Sequence, residues 1–234
     1  MKYSRMPALA ACIGIALVGT TPARASFVLT VDDLSNPGIE VIVSDGQGVG
    51  FVTSVGATTT PDGGLLPDVI SFNGGVGSFT VNVTTGVSEG QIGTGRLDLN
   101  SVDISGAAGT LRIKLTDTGY SSAFPAYTAD FGGTTDGTVN LDFLHDPTNV
   151  EFGGSSFFNP AAAGPGAFSG TGGGPVAAGT PYSLTIVADI THPGGFNITS
   201  FDALVTPVPI PPAVYLLGSG LIGLAGIARR RRAG

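Results

Sequence analysis

The chain contains no tryptophan, one cysteine and two histidines among 234 residues, and each scarcity removes a class of chemistry. The cysteine, Cys12, lies in an apolar N-terminal run that is expected to be cleaved off. The mature domain would then have no thiol for a disulfide, a nucleophile or a metal. Two histidines, His145 and His192, cannot build a three-histidine zinc site, although carboxylates could complete one. Sugar-binding surfaces usually stack sugar rings on aromatic side chains. Without tryptophan, the best local aromatic cluster is Tyr120, Phe124 and Tyr127, which would serve a hydrophobic core equally well.

Charge is scarce too, at 12% of residues, and basic charge is unevenly placed. Lys2, Arg5 and Arg24 stand at the start, and Arg229, Arg230, Arg231 and Arg232 near the end. Only Arg96, Arg112 and Lys114 face all 17 acids between them, so the middle of the chain carries −14. Such a surface repels nucleic acid and anionic lipid. With 38 Gly and 16 Pro, residues that regular helices avoid, a helical bundle is excluded. Hydrophobic residues, at 42%, suffice for one buried core, so the chain is not disordered.

Residues 1–25 have the three parts of a signal peptide: basic Lys2 and Arg5, an apolar run from Met6 to Val18, and small residues at Ala23 and Ala25 for cleavage. The run of 13 is shorter than the roughly 20 residues of a membrane span. Leu9 to Cys12 also looks like a lipoprotein lipobox, but the apolar run continues past the cysteine.

Residues 207–234 have a second tripartite pattern. Val208, Pro209, Ile210, Pro211, Pro212 and Ala213 precede an uncharged stretch to Ala228, and the four arginines follow at once. A helix starting at Pro212 tolerates proline in its first turn. Its 17 residues to Ala228 would reach roughly 25 Å, enough for a thin bilayer. The arginines place the tail in the cytoplasm and the domain outside. Ser219, Gly223 and Gly226 form a stripe of small residues along which another helix could pack closely. The order of proline motif, glycine-containing span and arginine cluster resembles the PEP-CTERM sorting signal, in its variant Val-Pro-x-Pro-Ala form. Two departures are that no Glu stands between Pro209 and Pro211, and that Pro212 occupies the variant's usual Ala position. The resemblance implies recognition by an exosortase, a multi-pass membrane enzyme, followed by retention in the cell envelope or extracellular matrix.

Between these ends, residues 26–206 read as about ten short strands. Phe27–Val31, Ile39–Val43 and Gly50–Val55 are rich in β-branched and aromatic residues. Strict alternation marks Val76–Thr84, with Phe79, Val81 and Val83 on one face. It recurs in Leu97 and Leu99, in Leu111, Ile113 and Leu115, and in Val139, Leu141 and Phe143. Tyr182–Ile190 and Phe196–Val205 predict a hairpin through residues 192–195. The expectation is an all-β fold, a two-sheet β-sandwich of jelly-roll type. Residues 160–180, with seven Gly, six Ala and three Pro, predict a long surface loop.

Chemistry is sparse in this domain. His145, flanked by Asp142 and Asp146, and His192 before Pro193 both read as solvated turn residues. Ser155 and Ser156 lack the nucleophile-elbow spacing. No catalytic residue is expected. Calcium is a conceivable ligand for Asp98, Asn100 and Asp103, or for Asp130, Asp136 and Asp142, but no EF-hand loop is present. Asp and Asn are also ordinary turn residues. The leading expectation is an exported, non-catalytic envelope or matrix protein associated with exopolysaccharide or biofilm. The alternatives are a carbohydrate-binding surface adhesin and a secreted polysaccharide hydrolase.

Overall fold

A period of two sets this structure: apolar side chains at every second position need one covered face, and two such faces cover each other. The computed structural model describes residues 26–45, 58–60, 68–88, 95–208, 216–217 and 219–222. Among the described residues there are thirteen strands: β1 (Phe27–Asp33), β2 (Glu40–Ser44), β3 (Thr58–Thr60), β4 (Val69–Val76), β5 (Phe79–Ser88), β6 (Leu97–Gly106), β7 (Gly109–Tyr120), β8 (Ala126–Thr135), β9 (Thr138–Asp146), β10 (Ser155–Phe158), β11 (Gly166–Pro175), β12 (Tyr182–His192) and β13 (Asn197–Pro207). Sheet A has the order β10-β9-β12-β7-β1-β2, and sheet B has β11-β8-β13-β6-β5-β4-β3. All pairs are antiparallel. The expected all-β two-sheet sandwich is therefore present.

The core lies between the sheets. Sheet A supplies Leu29, Val31, Leu111, Ile113, Leu115, Phe143 and Ile186; sheet B supplies Phe72, Val81, Val83, Leu97, Leu99 and Phe201. Each such side chain, fully buried, contributes roughly 1.5–3 kcal/mol of transfer free energy.

Three local expectations differ from the structure. Val76–Thr84 is not one strand, because Gly77 and Ser78 turn the chain between β4 and β5. Tyr182–Ile190 and Phe196–Val205 form strands but no hairpin. Both sides of β12 are already taken by β7 and β9, so β13 crosses to sheet B and fits between β6 and β8.

The third difference is β11, in the middle of the supposed 160–180 loop. Its ten residues pair one-to-one with β8. Glycine lets this happen because neighbouring strands fill the vacated space. A Cβ on Gly170 would stand 2.5 Å from the Phe131 ring, and one on Gly172 would stand 2.3 Å from the Phe158 ring. The aromatic rings of β8 and β10 thus supply the apolar cover that β11 lacks.

The predicted strand at residues 50–55, the signal peptide with Ala23 and Ala25, and most of the tail lie outside the described residues. Val208 is described, and its N–H donates to the Ala126 carbonyl at 2.9 Å. Leu216, Leu217 and Ser219 to Ile222 are helical. Among the described residues no helix is long and apolar enough to cross a membrane.

Candidate functional site

The two outer faces differ. On sheet A, Arg112 binds Asp189 through two bonds of 2.7 Å, and the Lys114 ammonium lies 4.7 Å from the centre of the Phe152 ring. The segment after β9 folds over the same sheet: the Ser183 hydroxyl donates to the Val150 carbonyl at 2.7 Å. The Phe152 N–H donates to the Thr116 hydroxyl at 3.4 Å. Thr116 and Thr185 are buried beneath that cover although they point away from the core.

Sheet B has no such cover among the described residues, and a shallow groove of about 530 Å³ crosses β6, β13, β8 and β11. Its polar lining is Arg96, Asp98, Asn100, Asp130 and Asp202. Strand register assembles it: Leu204 of β13 stands opposite Asp98 of β6 on one side and Asp130 of β8 on the other. At a strand spacing near 4.8 Å the two carboxyl-bearing positions lie about 10 Å apart. Gly132, opposite Asp202, leaves the floor open; a Cβ there would make only ordinary contacts at 3.5 Å. A bulge between Phe201 and Ala203 aims Asp202, whose Oδ1 accepts the Ser101 N–H at 2.6 Å. Arg96 holds Asp98 at 2.7 Å.

Of the sequence candidates, Asp98, Asn100 and Asp130 meet in this groove, whereas Asp103 stands further along β6 and is exposed. Asp136 accepts the Ile198 N–H at 2.9 Å in a turn, and Asp142 accepts the Ser156 hydroxyl on sheet A at 2.5 Å. Among the described residues no three His, Cys, Asp or Glu side chains gather to hold a metal ion. Sequence reasoning missed Asp202, Arg96 and Gly132, because no local motif links three strands so far apart in the chain.

A second concavity, about 350 Å³, opens at one end of the sandwich between Phe124, Pro125, His145, Val176 and Tyr182. Tyr182 stacks on Tyr120 with ring centres 5.2 Å apart and on His145 with centres 4.8 Å apart. The Tyr182 hydroxyl donates to the Ser122 carbonyl at 3.0 Å and accepts from Tyr127 at 2.5 Å. The expected aromatic platform is therefore largely core, since Tyr120 and Tyr127 are buried and Phe124 alone reaches the rim.

Neither histidine is solvated, which corrects the turn-residue expectation. His145 continues the inward series Val139, Leu141, Phe143, while Asp142 points outward, so the two do not pair. His192 packs on Phe79, and its Nε2 lies 3.0 Å from the Thr199 hydroxyl. Burial pushes both imidazoles below their ordinary values.

Asp117 is 1% exposed and is held by the Ser88 hydroxyl and the Thr118 N–H. Burial, reinforced by Asp68 and Asp45, pushes its carboxyl up to about 7 despite those hydrogen bonds. It lines neither concavity.

No protein-family model matches the sequence, and no curated protein matches it. Solved structures give partial likenesses. A family 61 carbohydrate-binding module in complex with β-1,4-galactotriose matches at 9% identity and TM-score 0.32, over 46% of this chain and 70% of that one. A family 29 module variant complexed with mannohexaose matches at 15% identity and TM-score 0.31, over 65% and 92%. A structure described as CBM4 matches at 11% identity and TM-score 0.30, over 77% and 86%. The chain is similar to these modules in part, at identities too low to transfer a ligand.

Proposed function

We propose that residues 26–208 form a non-catalytic carbohydrate-binding β-sandwich that takes a polysaccharide across the outer face of sheet B. One observation carries this reading: the open groove over Gly132, with acceptors at Asp130 and Asp202 and a mixed donor and acceptor at Asn100, beside the Arg96–Asp98 pair. Sugar hydroxyls both donate and accept, so short carboxylates and amides held on rigid strands suit them. Three carboxylates against one guanidinium disfavour polyanions and favour neutral sugars.

On the same reading the chain is exported through its N-terminal signal, and an exosortase recognises Val208 to Ala213. The domain is then retained at the cell surface or in an exopolysaccharide matrix. The tail's sequence pattern supports this delivery route. Retention would be lost on deleting residues 208–234, and unchanged surface retention in a fractionation assay would overturn the route.

Calorimetric titration with neutral glucans, mannans and galactans beside a polyuronate tests the ligand. The expected result is binding of a neutral polymer, weakened about tenfold or more by Asp130→Asn or Asn100→Ala, as loss of one such hydrogen bond predicts. No binding of any neutral polymer, or binding indifferent to both substitutions, would overturn the carbohydrate reading.

A further inference from the structure

The described sheet edges are unequal. β2 is five residues long and carries Glu40, β3 is three residues, and β10 is four residues with a register shift between Ser156 and Phe158. β11 is ten residues, pairs with β8 without a shift, and pairs with no described strand on its other side. Short length, charge, proline and bulges are the usual protections of an exposed edge against a further strand, and β11 has none of them before Pro175 at its last position.

From the structure we infer that this edge of β11 docks a second copy of the chain. The two β11 strands would run antiparallel about a two-fold axis and join two seven-stranded B sheets into one. Charge selects a copy of the same chain. No charged residue occurs from Phe152 to Ala188, in a domain of −14, so two copies approach here with the least repulsion. Shape agrees. A two-fold through Gly170 sets Phe168 opposite Gly172, and one through Thr171 sets Phe168 opposite Gly174. Along β11 itself neither register sets two bulky side chains opposite each other; in the first, the Phe158 ring already covers Gly172, so the copy's Phe168 would pack against that ring, and the exposed Ser169 and Thr171 face each other, themselves or glycine. Because Gly170 also borders the groove, the joined sheet would set two grooves side by side on one surface and confer avidity on a long polymer. The dimer itself does not depend on the carbohydrate reading.

Sedimentation of the full chain over a roughly hundredfold concentration range tests the contact, because mass action must shift a reversible dimer. Wild type is expected to pass from monomer to dimer. Ser169→Lys with Thr171→Lys places lysines opposite one another in one register, or on the axis in the other, while Thr171→Lys stays compatible with its neighbour Asp130. This pair should weaken dimerisation at least tenfold. Ser169→Gln with Thr171→Gln, similar in size but uncharged, should dimerise like wild type. Far-UV circular dichroism matching wild type confirms that both variants are folded. A wild type that stays monomeric, a lysine variant that associates undiminished, or equal loss in both variants would each overturn the inference.

Discussion

The outer faces of the two sheets are built from the same alternating strands, yet they treat their charges in opposite ways. Sheet A brings Arg112 to Asp189 and Lys114 to Phe152, and folds a segment over Thr116 and Ser183. Behind that face, between the sheets, Asp117 of the same sheet is buried and is held by the Ser88 hydroxyl and the Thr118 N–H. Sheet B leaves Asp130 and Asp202 on an open surface beside Asn100. The contrast teaches that Asp189 of sheet A serves the fold's own stability, as Asp98 of sheet B does beside Arg96, whereas Asp130 and the open side of Asp202 face something outside the chain.

The largest expected effect is for an acid that serves the fold alone, Asp117 on the inner side of sheet A. A free aspartate titrates near 3.9, while folded Asp117 holds its proton to about 7. The folded state therefore binds this proton more tightly. Its contribution is full below about pH 4, declines as the pH rises to 7, and is flat above. Wild type should lose up to about 4 kcal/mol over that window relative to Asp117→Asn, read by urea denaturation at several pH values. Parallel curves for the two proteins would remove the assignment.

Next comes the floor of the sheet B groove. Gly132→Leu has room for its Cβ but fills the groove, so polysaccharide affinity should fall more than tenfold while the melting temperature changes little. Undiminished binding would move the ligand elsewhere on the molecule. On sheet A, Arg112→Ala should cost about 1 kcal/mol or less in thermal melts, because the pair is partly solvated, and should leave sugar titrations unchanged. The smallest effect on stability is expected for Asp130→Asn, within about 0.5 kcal/mol, although ligand affinity falls. A substantial loss of stability there would erase the distinction between the faces.

Much of the sandwich was legible in the sequence, since Leu111, Ile113 and Leu115, and Val139, Leu141 and Phe143, announce their buried faces by spacing alone. The same spacing extended by one step puts His145 inside; the adjoining Asp146 and Pro147 obscured it as a turn. β11 was illegible because its periodicity is carried by Phe131 and Phe158 on other strands. Partner choice was hidden too: alternation marks β12 and β13 as strands but does not say that β12 has both sides filled. The groove was half visible. Asp98, Asn100 and Asp130 stood out as oxygen-rich positions, but Asp202 joins them only through the pairing of β13 with β6 and β8.

The stacked tyrosines have an optical consequence. The chain has five tyrosines and no tryptophan, and Tyr120, Tyr127 and Tyr182 are the only ones between residues 26 and 208. Tyr182 touches both of the others, stacking on Tyr120 and meeting Tyr127 through ring and hydroxyl, and it lines the end concavity. Ultraviolet emission from this segment is therefore a reporter of that one end of the sandwich. A molecule entering the concavity would change it directly, while a sugar lying along sheet B would leave it dark to the event.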